Sequence, residues 1–77
     1  MKWEASIKGP KPKRFIIEQQ ILRNLTDQKD EYGFYLYVYD GITGFNTHDY
    51  LQDTLEIAKE QAFEEFGVPL DSWKQVE

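Results

Sequence analysis

Tyr32-Gly33-Phe34-Tyr35-Leu36-Tyr37-Val38-Tyr39-Asp40 alternates without a break. Successive side chains of a strand point to opposite faces, so Phe34, Leu36 and Val38 share one side and Tyr35, Tyr37 and Tyr39 the other. Both sides carry apolar surface, and both call for cover. The fold follows from finding one lid in the rest of the chain. The function question follows from failing to find a second.

Upstream, Lys2-Trp-Glu-Ala-Ser-Ile-Lys8 also alternates, with Trp3, Ala5 and Ile7 on one face, and reads as a strand. Gly9-Pro10-Lys11-Pro12 ends it, because proline has no N–H for a ladder and forces the preceding residue into extended shapes. Arg14 to Leu22 contains three isoleucines and reads as a second strand. Phe15, Ile17 and Ile21 face one way; Ile16, Glu18 and Gln20 face the other. The weaker alternation near Gln19 predicts a bulge there. Asn24 to Glu31 is polar and reads as a loop.

Downstream, Asp40-Gly41 has the composition of a type I′ hairpin turn. The turn leads into a short fourth strand at Ile42–Thr47, against which Gly44 argues. Leu51, Leu55, Ala58, Ala62 and Phe66 recur at spacings of three and four and predict an amphipathic helix. Asp53-Thr-Leu-Glu56 fits a capping box with Asp53 as the cap, and Asp49 with Gln52 is a rival start one turn earlier. Gly67 sits where a left-handed helix terminator belongs, with Val68 placed to touch Phe63 and Pro69 following. The tail is expected to fold back so that Trp73 seals one edge of the core. The expectation is a single α+β domain over residues 1–77: an antiparallel meander of three strands, or four, with one C-terminal helix on one face.

The 77 residues include no cysteine, so neither a disulfide nor a thiolate metal site staples the fold. A core this small supplies on the order of 3–5 kcal/mol. No apolar run reaches the roughly 20 residues of a membrane span, and no signal peptide opens the chain, so no membrane partner and a cytoplasmic location are expected. Asn24-Leu25-Thr26 fits a glycosylation sequon, which has no use without secretion. The net charge is −5 and unevenly spread: residues 1–29 hold seven Lys or Arg against three acids, and residues 30–77 hold two Lys against eleven acids. That balance disfavours unspecific binding to phosphate backbones and favours basic partners.

The stretch Asp49 to Trp73, with Trp3 and Ile7-Lys-Gly-Pro10, resembles a group of small bacterial α+β proteins. These end in a Leu-Glu-x-Ala-x-x-x-Ala helix, then Phe/Tyr-Gly-Val and a late Trp. The resemblance implies the fold above. Some small acidic proteins of this general kind are toxin-immunity partners, but the resemblance does not place this chain among them. The matching residues serve capping, packing and helix termination, and no catalytic residue is carried over.

Four groups of residues are candidates for function. The Tyr35/Tyr37/Tyr39 row, with Ile16 beside it, suits a protein partner or a second copy, since tyrosine joins a large apolar ring to a polar tip. The alternative is a solvated face with the rings covered by neighbouring stems. Glu56, Glu60 and Glu64 form a ridge at four-residue spacing, which costs roughly 0.2–0.5 kcal/mol per pair and suits a basic partner; an ordinary solvated helix face is the plainer reading. Lys8, Lys11, Lys13 and Arg14 gather at a proline-containing loop. Beside exposed aromatics they suggest single-stranded nucleic acid bound by stacking, or a sheet laid in a DNA groove. The plainer reading is a solvated turn that guards an edge with lysine and proline.

His48 with Asp49 is the one pair that looks catalytic. A nucleophile such as Ser6, Thr47 or Ser72 would have to meet it. His48, Asp49 and Asp53 are too few firm ligands for a structural or catalytic metal site. A histidine beside a capping Asp is the plainer reading. The sequence thus predicts a protein-interaction module without catalytic residues, cofactor or metal, with nucleic-acid binding by the sheet as the alternative.

Overall fold

The computed structural model describes residues 1–23 and 30–77. The chain forms β1 (Lys2–Ile7), β2 (Lys13–Arg23), β3 (Asp30–Asp40), β4 (Asn46–Gln52), α1 (Leu55–Phe66) and β5 (Lys74–Gln75). The strands make one antiparallel sheet in the order β4-β3-β2-β1-β5. The α+β class and the meander agree with the sequence reading. The sheet has five strands, however, more than the three or four expected.

The Tyr-rich stretch lies in β3, between β2 and β4. Registers place Phe15 opposite Ala5 and Val38, and Ile17 opposite Trp3 and Leu36. Directly opposed residues share a face, so these six form one apolar sheet surface. All six are buried, together with Ala58 and Ala62 of α1 and Val68 beyond it. Leu55 and Phe66 pack on the same cluster. Of the predicted helical stripe, four residues therefore do face the core.

Leu51 does not. It sits in β4 opposite Tyr35 and is 49% exposed. The strand absorbed the stretch that helical spacing had claimed, because Thr47-His-Asp-Tyr-Leu-Gln52 alternates as well and β3 supplies its ladder. The helix therefore starts later than Asp49 or Asp53. Thr54 is the cap: its backbone is extended, and its hydroxyl accepts from the N–H of Ile57 at 3.1 Å. Gly67 ends the helix as expected. Gly67 has φ 75°, its N–H donates to the Phe63 carbonyl at 2.9 Å, and the Val68 N–H donates to the Ala62 carbonyl at 3.3 Å. Val68 then enters the core, while Phe63 stays 52% exposed.

Two irregularities also fall elsewhere than expected. β2 pairs with β3 through eleven consecutive residues with no bulge at Gln19; the register shift lies between Val38 and Tyr39, against β4. The β3–β4 connection is longer than a type I′ turn. The Asp40 carboxylate accepts from the N–H groups of Ile42 and Thr43 at 2.8 and 2.9 Å, and Gly44 takes the left-handed position at φ 76°. The Asp40 carboxyl is held below its ordinary pKa by these backbone hydrogen bonds, first from Thr43 and then from Ile42. Gly41 is needed for space. Its N–H donates to the Pro12 carbonyl at 2.8 Å, and a Cβ there would meet Pro12 atoms at 2.8–2.9 Å.

β5 was not foreseen as a strand, though the return of Trp73 was. Trp73 meets Phe15 edge-on with ring centroids 6.5 Å apart. That contact delivers Lys74 and Gln75 to the free edge of β1. The expected loop over Asn24–Glu31 yields its last two residues to β3, and its remainder, with the Asn24 sequon, lies outside the described residues.

Candidate interaction face

The face opposite the helix is built by the other half of each alternation. Its central row runs Lys74, Glu4, Ile16, Tyr37, Asp49 across all five strands. On one side of it runs Lys2, Glu18, Tyr35, Leu51; on the other, Ser6, Arg14 and Tyr39. The core cluster and α1 lie on the reverse side. Among the described residues no element covers this face.

The three tyrosines nonetheless shelter one another. Tyr35 and Tyr37 are stacked, with centroids 5.8 Å apart and planes 11° apart; Tyr37 and Tyr39 are 6.4 Å apart and tilted by 40°. Each ring is half-buried, as is Ile16. The surface is neither closed core nor freely solvated: each ring packs on a neighbouring ring and stays partly exposed. Such rings lose little further entropy when a partner covers them. The Tyr37 phenol is pushed above its ordinary pKa, first by desolvation and then by the carboxylates of Glu18 and Asp49.

The charges of this face balance on the strands. Lys2, Arg14 and Lys74 stand against Glu4, Glu18 and Asp49. Arg14 Nε donates to Glu4 Oε1 at 2.7 Å, and Lys2 Nζ lies 3.2 Å from the Glu77 carboxylate at the rim. On a chain of net charge −5, this is a neutral region. Glu18, which the alternation of β2 puts on the side of Ile16, belongs to the candidate face, and so do Asp49 and Leu51, which sequence reasoning did not place there. For Asp49 and Leu51 the available signal was the alternation of Thr47 to Gln52.

The remaining candidates are dispersed. Glu56, Glu60 and Glu64 are exposed along α1, on the other side of the molecule from the tyrosines. Lys8 and Lys11 are exposed in the β1–β2 loop, Lys13 begins β2, and Arg14 is held by Glu4. The basic residues thus do not form a track along the Tyr row.

His48 is in mid-strand rather than at the start of the helix. Its ring stacks on Tyr50 at 5.9 Å and meets Phe66 edge-on at 5.4 Å. Asp49 points to the opposite face, so the two do not converge. Thr47 Oγ1 lies 2.9 Å from His48 Nδ1 but donates to the Val38 carbonyl at 3.2 Å, so its proton is already engaged. Ser6 is three strands away, about 14 Å at the usual spacing. Among the described residues no cluster of three His, Cys, Asp or Glu can hold a metal ion, and no helix is long and apolar enough to cross a membrane. No family model, no curated protein and no solved structure matches this chain.

Proposed function

We propose that this chain is a non-catalytic protein-interaction module whose contact surface is the sheet face centred on Tyr37. The observation that carries the reading is the mutually packed, half-buried row Tyr35, Tyr37 and Tyr39, flanked by Ile16 and Leu51, on the side of the sheet without a helix. Four strands at about 4.8 Å with six paired residues at about 3.3 Å, and the two residues of β5, give a patch of roughly 410 Å² per molecule. Doubled, that falls in the range of weak, transient contacts. Charge balance on the patch favours a partner that is itself near neutral there, a second copy included. The acidic ridge Glu56, Glu60 and Glu64 is a separate contact suited to a basic partner. The nucleic-acid alternative has less support, since Arg14 is engaged by Glu4 and two carboxylates flank Tyr37.

The test is site-specific photocrosslinking in producing cells, with a photoreactive residue in place of Tyr37 and, as control, in place of the exposed Asp71. A discrete protein adduct at position 37 that is absent at position 71 is expected. No adduct at 37, or the same adducts at both positions, would refute the reading.

A further inference from the structure

We infer that β4 is the edge through which two copies of this chain pair, strand to strand, into one continuous sheet. This goes beyond the Tyr face and uses the backbone edge of the sheet beside it.

The sheet has two edges. β5 is only two residues long and includes Lys74, and both features discourage further pairing. β4 is seven residues long and contains neither Lys nor Pro; its single irregularity lies at its start, opposite Val38 and Tyr39. From His48 to Gln52 the ladder with β3 is regular and neither Lys nor Pro blocks the edge, whose one charged side chain is Asp49.

The directions of the free backbone groups follow from two hydrogen bonds. The Asp40 N–H donates to the Phe45 carbonyl, on the β4 side, and the Gly41 N–H donates to the Pro12 carbonyl, on the β2 side. Backbone groups alternate along a strand. Leu36 and Val38 accordingly address β4, where they oppose Tyr50 and His48. His48, Tyr50 and Gln52 spend their N–H and C=O groups on β3, and Thr47, Asp49 and Leu51 aim theirs outward.

A second copy is the occupant that matches this edge. An antiparallel pair about a two-fold axis sets the same residues against each other, each donating and accepting in turn. An axis at Asp49 would oppose two carboxylates, which is unfavourable. An axis at Tyr50 sets Asp49 opposite the partner's Leu51, places the two Tyr50 side chains together, and covers Leu51, now 49% exposed. We assign that register. The paired molecule has ten strands, with both Tyr rows on one face, about 14 Å apart at the usual strand spacing. Self-association of this kind enlarges the Tyr face instead of consuming it.

Amide hydrogen exchange and sedimentation on the intact chain test the inference together. At high concentration a species of twice the chain mass is expected. Protection at Thr47, Asp49 and Leu51 should rise with concentration, while that at His48, Tyr50 and Gln52 stays constant. Leu51→Pro removes an outward N–H without touching the β3 ladder, so it should abolish the dimer. Tyr37→Glu should leave the dimer in place. A wild-type chain that stays monomeric, or exchange at the three outward amides that ignores concentration, would overturn the inference. So would a dimer dissolved by Tyr37→Glu and untouched by Leu51→Pro. If Leu51→Pro does not fold, the wild-type exchange pattern still decides.

Discussion

Replacing Gly41 by alanine isolates one contact between two loops. Gly41 does not have a positive φ, so alanine is at ease with its backbone. The cost is then steric: the new Cβ lies 2.8 Å from the Pro12 carbonyl oxygen, 2.8 Å from its Cβ and 2.9 Å from its carbonyl carbon. Ordinary contacts begin near 3.5 Å, so the backbones must part by over half an ångström. Two of the three atoms are main chain and the third belongs to a rigid ring. The parting also stretches the Gly41–Pro12 hydrogen bond, now 2.8 Å. Overpacking of this sort costs about 1–3 kcal/mol. In a domain of this size each kcal/mol lowers Tm by about 4–8 °C. A fall of about 12 °C is expected for the middle of the range. Gly44→Ala is the control: at φ 76° with open space around it, only backbone strain of about 1 kcal/mol applies. Thermal unfolding followed by circular dichroism reads both. If Gly41→Ala melts no lower than Gly44→Ala, the two loops are not tied as described.

Two further outcomes can be measured on the same instrument. Thr54→Ala should destabilise by about 1 kcal/mol through loss of the bond to the Ile57 N–H, whereas Asp53→Ala should change little; equal effects would return the cap to Asp53. Tyr37 has a raised pKa, so the unfolded chain ionises first as pH rises past 10 and the native state loses stability through the folded pKa. Urea titrations at pH 8 to 11 should show that decline, and Tyr37→Phe should soften it.

Much of the architecture could be read in the chain because alternation is a local signal. β1, β2 and β3, the two faces of the Tyr stretch, and the Gly67 helix end all rest on patterns of a few residues. His48–Gln52 escapes a strand reading because Leu51 satisfies both periods: it lies four residues before Leu55 on a helix and alternates with Tyr50 on a strand. Only pairing with β3 decides between them, and pairing is not local. β5 is hidden for the same reason, since Lys74 and Gln75 have no strand character and owe their place to Trp73. The Tyr row was legible as a face. Its neutral surroundings were not, because Glu4, Glu18, Asp49 and Lys74 come from four strands and meet only through the register.

The pairing of β5 with β1 sets an order of events in folding. Every other neighbouring pair in the sheet joins consecutive strands, whose short loops close quickly. Joining Trp3 to Gln75 closes a loop of nearly the whole chain, and such closure grows more costly with length. The two-residue ladder, with the backbone bonds of Lys2 to Val76 and Glu77, offsets little of that alone. The tail therefore settles only after the helix has docked and brought Trp73 within reach of Phe15. Contacts made so late barely influence the folding rate and act mainly on how fast the native state comes apart. Phe15 and Trp73 then form a latch: the fold assembles without it, and its lifetime depends on it.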